Sequence, residues 1–313
     1  MESDAMLSAV REGGLLPAGA RVVALLSGGR DSVCLLDLTA RLLGREAVTA
    51  LHVNYGLRDD SDEDEVHCRS LCERLDVDLR VERPRRPEGP GNLQAWARDT
   101  RYAAAARLVE EDETLIATGH TADDQVETIL YRLASSPSRR ALLGMKPRDG
   151  KLVRPLLPFT REQTTAYCGE RDLSWRDDPS NAEPSYARNR VRHGLVRAMA
   201  EVHPAAARNI LRTAELLRAE AEVLDGLVAA ELDGSNGSPR GTIELARLAA
   251  LPTALRRLVV QRLADRAAGR PVAGAANHAD EVAGLRRTGT AMLDLGGGVR
   301  AIVERGVLRA SRD

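Results

Sequence analysis

The segment that most constrains the fold of this chain is a polar turn between two apolar stretches, Ser27-Gly28-Gly29-Arg30-Asp31-Ser32. Residues 21–26 before it are typical of a buried strand, and residues 32–43 after it are typical of a helix. Two adjacent glycines permit a tight turn with positive φ, and the free N–H groups of a helix N-terminus attract anions. The order of strand, glycine turn and helix predicts a phosphate site; the alternative is an ordinary capped turn. We refer to residues 27–32 as the phosphate loop.

Strand-like and helix-like stretches alternate through the first half of the sequence. The predicted strands are Val22–Leu26, Val48–Val53, Leu79–Glu82, Leu115–Thr118 and Leu152–Leu157, and helices are expected near 32–43, 61–75, 93–110 and 123–133. This alternation predicts an α/β domain with a parallel, Rossmann-like sheet. Ligands of such sheets bind beyond the carboxyl ends of the strands, so three segments should converge there: Ser27–Ser32, His52–Arg58 and Gly119–Asp124.

The second half of the sequence reads as a separate, smaller and mainly helical α+β domain. A long helix near 205–232 ends in a Gly-, Ser- and Asn-rich linker at residues 233–239. Helices are expected around 244–267 and 276–287, followed by strands near 291–295 and 299–309 with Gly296–Gly298 at the turn. The predicted division is a catalytic domain at 1–203, a helix and linker at 204–240, and a C-terminal domain at 241–313.

Charge is distributed unevenly along a chain of 313 residues with a formal net charge of -1. From Arg188 onward there are 20 arginines against 14 acidic residues, so the part before Arg188 is acidic. This asymmetry is typical of a catalytic domain joined to one that binds a polyanion. No apolar stretch approaches the ~20 residues of a membrane span, the N-terminus lacks a signal-peptide core, and the four cysteines are scattered. We expect a cytoplasmic protein with reduced thiols and no membrane association.

Three groups of charged residues accompany the phosphate loop. His120, Asp124 and Glu127 come at the predicted start of a helix, where two carboxylates on one face can hold a metal ion or an ammonium group; helix capping is the alternative, above all for Asp123. Arg98 and Arg101 share a helix face and can contact a phosphate, or can be ordinary solvated charges. The same two interpretations apply to the third group, Arg188, Arg190 and Arg192.

In this order the segments resemble the tRNA(Ile)-lysidine synthase family of PP-loop ATP pyrophosphatases. The resemblance covers about residues 20–200 and rests on these motifs: S-G-G-R-D-S (27–32), H-V-N-Y-G-L-R (52–58), A-R-D-T-R-Y (97–102), H-T-A-D-D-Q-V-E-T (120–128), L-L-G-M (142–145), R-P-L-L (154–157), W-R-D-D-P-S-N (175–181) and R-N-R-V-R (188–192). Residues 251–257 are similar to the tRNA-binding domain of the family. Longer members carry a further C-terminal domain that these 313 residues do not include.

The resemblance implies a two-step reaction. ATP adenylates the 2-keto oxygen of the wobble cytidine in the isoleucine tRNA with a CAU anticodon, and pyrophosphate leaves. The ε-amine of free L-lysine then displaces AMP, which gives lysidine and changes the identity of the tRNA from methionine to isoleucine. The expected cofactors are ATP and Mg²⁺, and a homodimer is compatible with the family.

The resemblance also assigns roles to individual residues. The ATP site would comprise Ser27, Gly28, Gly29, Arg30, Asp31, Ser32, His52 and Arg98, with Asp31 as a partner of Mg²⁺ and Arg98 at the α-phosphate. Asp124 and Glu127 would bind lysine, and His120 would help to move a proton. The catalytic residues would be Asp31, Arg98, His120 and Asp124, and the tRNA contacts would be Arg188, Arg190 and Arg192.

The sequence departs from the family pattern at a few positions. Members commonly have His at Thr121 and at Tyr55, Glu at Gln94, and a Gly-rich segment at residues 132–137. Two other functions stay open: another PP-loop enzyme that modifies tRNA, and a tRNA-binding protein without catalytic activity. The sequence has no C-x-x-C pair for sulfur chemistry, which argues against a tRNA thiolase.

Overall fold

The computed structural model describes residues 2–57, 60–87, 92–109, 114–136, 139–177, 187–234, 239–286 and 288–312. The chain divides into two compact units, Met1–Glu215 and Leu216–Asp313, and the division falls within one long helix. The predicted linker residues 235–238 lie outside the described residues, as do Arg58 and residues 178–181 of two predicted motifs. The assignment of catalysis to 1–203 and of tRNA binding to 241–313 stays a prediction.

The first unit contains a six-stranded, mostly parallel sheet in the order β3-β2-β1-β4-β6-β5, in which only β5 and β6 pair antiparallel. Its strands are β1 (Arg21–Leu25), β2 (Val48–Val53), β3 (Asp78–Glu82), β4 (Thr114–Ala117), β5 (Arg148–Asp149) and β6 (Leu152–Val153). The helices up to the sheet's last strands are α1 (Glu2–Glu12), α2 (Arg30–Leu43), α3 (Ser61–Leu75), α4 (Leu93–Leu108), α5 (Ala122–Ser135) and α6 (Arg139–Leu142). This arrangement confirms the predicted α/β class.

In the described part of the chain, further helices follow the sheet up to the long helix within which the two units divide. They are α7 (Arg161–Glu170), α8 (Ala187–Arg190), α9 (Val196–Val202) and α10 (Ala206–Leu232). Between α8 and α9 lies one turn of π-helix, Val191–Leu195, in which the N–H of Val196 donates to the carbonyl of Val191. Such turns hold one more residue than an α-helical turn and are frequent at functional sites.

Strand β1 shows why the sheet needs helices on both faces. Val22 and Ala24 belong to one core, with the buried residues of α2, whereas Val23 and Leu25 belong to another core with Ala104 and Ala105 of α4. Successive side chains of a strand point to opposite faces, so a strand covered on both faces must be apolar throughout. The near-continuous apolar run in the sequence has this cause.

One strand prediction in the first unit is wrong in extent. The predicted strand Leu152–Leu157 ends at Val153, because the chain turns at Arg154, whose carbonyl accepts from the N–H of Leu157. The guanidinium of Arg154 is buried and donates to the carbonyl of Lys146 over 2.6 Å. This turn ends strand β6.

The second unit is a small α+β unit, which confirms the predicted class. Its elements are β7 (Ile243–Glu244), α11 (Leu245–Ala250), α12 (Thr253–Ala268), α13 (Ala279–Ala283), β8 (Thr290–Gly296), β9 (Val299–Glu304) and β10 (Val307–Arg312). The strands form an antiparallel sheet in the order β7-β10-β9-β8.

Three predicted elements of the second unit have different bounds. The helix expected at 244–267 is broken before Pro252, whose ring removes an N–H donor and disfavours a helical residue before it. The helix expected at 276–287 consists of a 3-10 turn, Ala275–His278, and the short α13. The strand expected at 299–309 is two strands, β9 and β10, because Arg305 and Gly306 both adopt positive φ and reverse the chain.

Within the described ranges, no helix is both long and apolar enough to cross a lipid bilayer.

Candidate active site

A polar cleft of about 330 Å³ opens at the carboxyl ends of β1 and β4. The strand order reverses between these two strands, and this is where open α/β sheets bind their ligands. Residues from several predicted segments line the cleft, among them Ser27, Gly29, Arg30, Asp31, Ser32, His120, Asp124 and Arg192. The structure therefore brings the phosphate loop and the His120 segment to one place, as the sequence predicts from the topology.

The phosphate loop is braced from within by its two serines. Ser32 donates its hydroxyl to the carbonyl of Gly29 over 2.7 Å, and its oxygen accepts from the N–H of Ser27 over 3.1 Å. Gly28 has a φ of +83°, and a Cβ there would lie 3.3 Å from the sulfur of Cys68. Helix α2 starts after Gly29 without a side-chain cap. The N–H groups of Ser32 and Val33 donate to the carbonyl of Gly29, so the N–H groups of Arg30 and Asp31 are the ones at this helix N-terminus that can bind an anion.

Gly119, two residues after the end of β4, packs directly against the backbone of the phosphate loop. A Cβ at this position would lie 2.8 Å from the carbonyl oxygen of Asp31 and 3.1 Å from the amide nitrogen of Ser32. No side chain fits at such distances, so glycine is required for β4 and the loop to approach each other. This contact aligns the two halves of the cleft.

The carboxylate of Asp31 is held at one of its oxygens. Its Oδ1 accepts from the hydroxyl of Thr164 over 2.6 Å and from Nε of Arg30 over 3.1 Å. Among the described residues there is no group of three or more His, Cys, Asp or Glu side chains that could hold a metal by itself. Mg²⁺ bound together with a nucleotide requires only one or two carboxylates, because phosphates and water complete its shell. Asp31 in the cleft fits this mode of binding.

His52 lies on β2, one residue before its carboxyl end, but it is buried and does not line the cleft. Its Nδ1 lies 3.0 Å from the carbonyl oxygen of Leu26 and 3.4 Å from the sulfur of Cys68. Burial lowers the pKa of His52, so the ring is neutral at pH 7. With Nδ1 as the donor to Leu26, Nε2 is a buried acceptor for which no partner is found in the described part of the chain.

The acid pair, Asp124 and Glu127, is bound by three arginines. Arg161 donates to Oδ1 of Asp124 over 2.7 Å and to Oε1 of Glu127 over 2.9 Å. Arg188 also bridges the pair, with 2.9 Å to Oδ1 of Asp124 and 2.9 Å to Oε2 of Glu127. Arg192 donates to both oxygens of Glu127 over 2.7 and 3.2 Å. Two of the three arginines that the resemblance assigns to tRNA therefore contact the residues that it assigns to lysine.

These ion pairs determine the charge of the acid pair. Burial alone would raise the pKa of Asp124 and of Glu127, but the surrounding guanidinium groups hold both pKa values below the usual range. Both carboxylates are consequently ionised at neutral pH. Burial lowers the pKa of His120, and the charge of Arg188 lowers it further against the opposing effect of Asp124. Nδ1 of this neutral imidazole lies 2.7 Å from the hydroxyl of Thr118.

Arg98 and Arg101 occupy different positions, although both contact the same tyrosine. The guanidinium carbon of Arg98 lies 5.0 Å from the ring centre of Tyr102, and that of Arg101 lies 5.6 Å from it. Arg101 lines the cleft, whereas Arg98 is exposed and is not among the lining residues. The role of Arg98 at the α-phosphate stays a prediction, and Arg101 is the arginine of this helix that already borders the cleft.

Two positions at which the sequence departs from the family have clear local roles. Thr121 caps α5: its backbone N–H and its hydroxyl contact Oδ2 of Asp124 over 2.8 and 3.2 Å. Tyr55 lines the cleft, packs edge-on against Trp96 at 5.7 Å between ring centres, and donates its hydroxyl to the carbonyl of Ala97. Neither contact requires a histidine.

Sequence reasoning missed three residues of the site: Arg161, Thr164 and Arg176. Arg161 and Thr164 lie on α7, where T-R-E-Q is typical of a capping box and gives no sign of a functional role. Arg176 donates its backbone N–H to the carbonyl of Gly28 and its guanidinium to Asp64 over 2.6 Å. Its place in the W-R-D-D-P-S-N motif was the available signal.

The sheet order, the glycine loop before α2 and the acidic helix after β4 define a PP-loop nucleotide-binding domain. A family profile described as a PP-loop domain matches residues 7–199, and the chain belongs to this family.

Relatives with known names carry the identification further. The chain is 39% identical to the tRNA(Ile)-lysidine synthase of Thermus thermophilus over 260 residues, which cover 80% of this chain and 50% of that protein. It is 40% identical to the tRNA(Ile)-lysidine synthase of Alkalilimnicola ehrlichii over 254 residues, which cover 78% of this chain and 56% of that protein. The chain spans about half the length of the curated relatives it matches. These matches confirm the resemblance drawn from the motifs.

Among solved structures, the U34-tRNA thiolase NcsA of Methanococcus maripaludis, determined with its 4Fe-4S cluster, has the same fold. Its TM-score is 0.57 at 18% identity, and the match covers 69% of this chain and 79% of that chain. At this identity the likeness concerns the fold alone.

Proposed function

We propose that this protein joins free L-lysine to the wobble cytidine of the CAU-anticodon isoleucine tRNA in an ATP-dependent reaction, which yields lysidine, AMP and pyrophosphate. The observation that carries the proposal is that one cleft is lined both by the phosphate loop and by Asp124. A nucleotide and a cationic amine would therefore meet at the ends of two adjacent strands. The similarity to tRNA(Ile)-lysidine synthases supports the same conclusion.

In the first step the residues of the phosphate loop hold ATP. The N-terminal N–H groups of α2 would bind the phosphates that leave as pyrophosphate, and Asp31 would hold Mg²⁺, which neutralises phosphate charge when bound. Arg101 borders the cleft and Arg98 lies one helical turn away, so both would stabilise charge that develops at the α-phosphate. The 2-keto oxygen of the cytidine attacks the α-phosphorus, and pyrophosphate leaves.

In the second step the acid pair binds the ammonium group of lysine. Both carboxylates are ionised at neutral pH and buried, which favours a cation that can satisfy their oxygens. The ammonium must lose a proton before its nitrogen can attack C2 of the adenylated cytidine and expel AMP. His120 lines the same cleft, and burial lowers its pKa to about 3, so it would pass this proton on rather than hold it.

Recognition of the tRNA is assigned to two regions. Arg190, with Arg188 and Arg192, would contact the RNA near the cleft, and residues 241–313 would bind another part of the RNA. Phosphate contacts of this kind position an RNA but do not specify its sequence. We further infer a cytoplasmic location, since tRNA is the substrate.

The test is incorporation of radiolabelled lysine into an unmodified CAU-anticodon isoleucine tRNA transcript, with ATP and Mg²⁺ and with the methionine tRNA as control. Label in the isoleucine transcript alone supports both the reaction and its selectivity. Asp124→Asn should abolish incorporation while it leaves tRNA binding measurable. If wild-type protein binds the tRNA but gives no product, a tRNA-binding protein without catalysis is the better description. Pyrophosphate release with another acceptor would instead indicate another PP-loop enzyme.

A further inference from the structure

The carboxylate oxygens of the acid pair have no unused acceptor position for a substrate ammonium. Each of the four carboxylate oxygens already accepts two donors. Three of these oxygens are bonded only to guanidinium groups, while Oδ2 of Asp124 is used by the cap of α5. Two negative charges thus face three positive ones, and a lysine ammonium would be a fourth cation. Lysine can bind the acid pair only if one guanidinium leaves.

Exposure indicates which arginine leaves. The side chain of Arg188 is 46% exposed, compared with 21% for Arg161 and 22% for Arg192. Arg161 is also fixed by its backbone, whose N–H donates to Oδ2 of Asp123 over 2.8 Å. A half-exposed guanidinium recovers water when it is released, so it is the one that is removed at least cost.

The geometry points to Arg188 as a stand-in for the substrate. We propose that Arg188 occupies the ammonium position in the free protein and that a phosphate of the bound RNA withdraws it, so that lysine binds tightly only to the RNA-bound protein. This proposal rests on the proposed function of the acid pair.

The exchange leaves no buried charge unpaired. The ammonium of lysine replaces the guanidinium on Asp124 and Glu127, and the released guanidinium finds a phosphate, which it can grip with two parallel hydrogen bonds. Coupling between two ligands is reciprocal, so lysine must raise the affinity for RNA by the same factor by which RNA raises the affinity for lysine.

The test measures lysine affinity of the full chain by equilibrium dialysis, without ATP so that no reaction occurs. For wild-type protein we expect the affinity to increase about 5–150-fold when the CAU-anticodon isoleucine tRNA is saturating. Arg188→Ala and Arg188→Met, which keeps the apolar stem, should bind lysine tightly without RNA and should lose most of this increase. Arg197→Ala, which removes an exposed arginine from α9, is the matched control and should behave as wild type.

The outcomes separate this inference from the proposed function. Equal lysine affinity of wild type and both Arg188 variants without RNA would overturn the inference. Weaker lysine binding by these variants would also overturn it, because Arg188 would then hold the substrate rather than exclude it. Glu127→Gln tests the site itself. If wild type binds lysine with RNA and Glu127→Gln binds it equally well, the acid pair is not the lysine site and the inference fails, whereas the proposed reaction is judged by the incorporation of labelled lysine into the tRNA.

Discussion

Replacement of Gly119 by alanine adds one methyl group where β4 meets the phosphate loop. That methyl carbon would lie 2.8 Å from the carbonyl oxygen and 2.9 Å from the carbonyl carbon of Asp31. Both are backbone atoms, so no flexible side chain can move aside. The backbone must retreat by about 0.6 Å, from 2.8 to the 3.4 Å of an ordinary contact. Overpacking of this kind costs about 1–3 kcal/mol.

The shift should affect ATP binding as well as stability. If one hydrogen bond from the loop to a phosphate is lost, about 1.5 kcal/mol, affinity falls about tenfold. Urea denaturation and calorimetric titration with ATP measure the two effects. Gly169→Ala is the control, because Gly169 is exposed in α7 with open space around its Cβ, and alanine there should stabilise the protein by about 0.5–1 kcal/mol. A Gly119→Ala protein with wild-type ATP affinity and stability would refute the reasoning.

Three further predictions concern stability, acid pH and the thiols. The side chain of Gln125 accepts from the N–H of Met145 over 2.6 Å and donates to its carbonyl over 2.9 Å. Gln125→Leu should therefore lower the free energy of unfolding by about 1–3 kcal/mol for each backbone group left unpaired, whereas Gln94→Ala, at an exposed position, should change it little. Equal urea midpoints of the two variants would contradict this. Burial opposes ionisation of Glu65, but its bonds to Arg83 and Arg69 lower its pKa from 4.5 to about 2. Because this folded-state pKa lies below the unfolded one, the ionised carboxylate of Glu65 stabilises the fold fully above pH 4.5, and this stabilisation is lost as the pH falls towards 2. Glu65→Gln should flatten that part of a plot of unfolding free energy against pH. An unchanged plot would disprove this role of Glu65. All four cysteines are buried, and burial raises the pKa of Cys68 and of Cys72 to about 12. A thiol reagent at mildly alkaline pH should therefore label none of the four in the folded protein and all four in denaturant. Labelling of the folded protein would show that these thiols are accessible to solvent.

The central sheet could be predicted from the sequence because burial on both faces demands continuous apolar runs. Val48–Val53 has the predicted bounds, and β1 and β4 each begin one residue earlier than predicted. The error at residues 152–157 has the same origin. Leu156 and Leu157 are buried as a strand would bury them, but they lie in a turn that is closed by the hydrogen bond from the N–H of Leu157 to the carbonyl of Arg154. An apolar run specifies burial, not extension.

In the second unit the wrong element bounds come from residues that end a helix or form a turn and were read as part of a longer element. Pro252 was the signal for the end of α11, and Arg305-Gly306 was the signal for the turn between β9 and β10. The turn is weakly marked because Arg305, at a φ of 51°, is a residue that seldom adopts the left-handed region. Its conformation follows from the pairing of β9 with β10 rather than from its own preference.

In the candidate site, too, one part of the arrangement could be predicted from the sequence and another part could not. Convergence of the phosphate loop and the acid pair could be predicted, because topology alone brings the ends of parallel strands together. The choice of partner by each arginine could not. Arg188 and Arg192 are 61 and 65 residues from Glu127 in sequence, and an arginine solvated on a helix looks the same in sequence as one that bridges two acids. Such pairs depend on how α8 and the π-helical turn lie against α5.

The π-helical turn Val191–Leu195 gives this region a tolerance for change in chain length. Loss of one residue there, for example Gly194, which has open space around it, would convert the turn to an ordinary α-helix without breaking the helical backbone. Arg188 and Arg192 precede that position and would keep their spacing of four. Because the π-helical turn already accommodates one extra residue, the residues after it would keep their positions around the helix axis. A natural or engineered one-residue deletion would therefore preserve both the contacts of these arginines and the face that α9 presents, which makes this turn a place where related chains could differ by one residue in length.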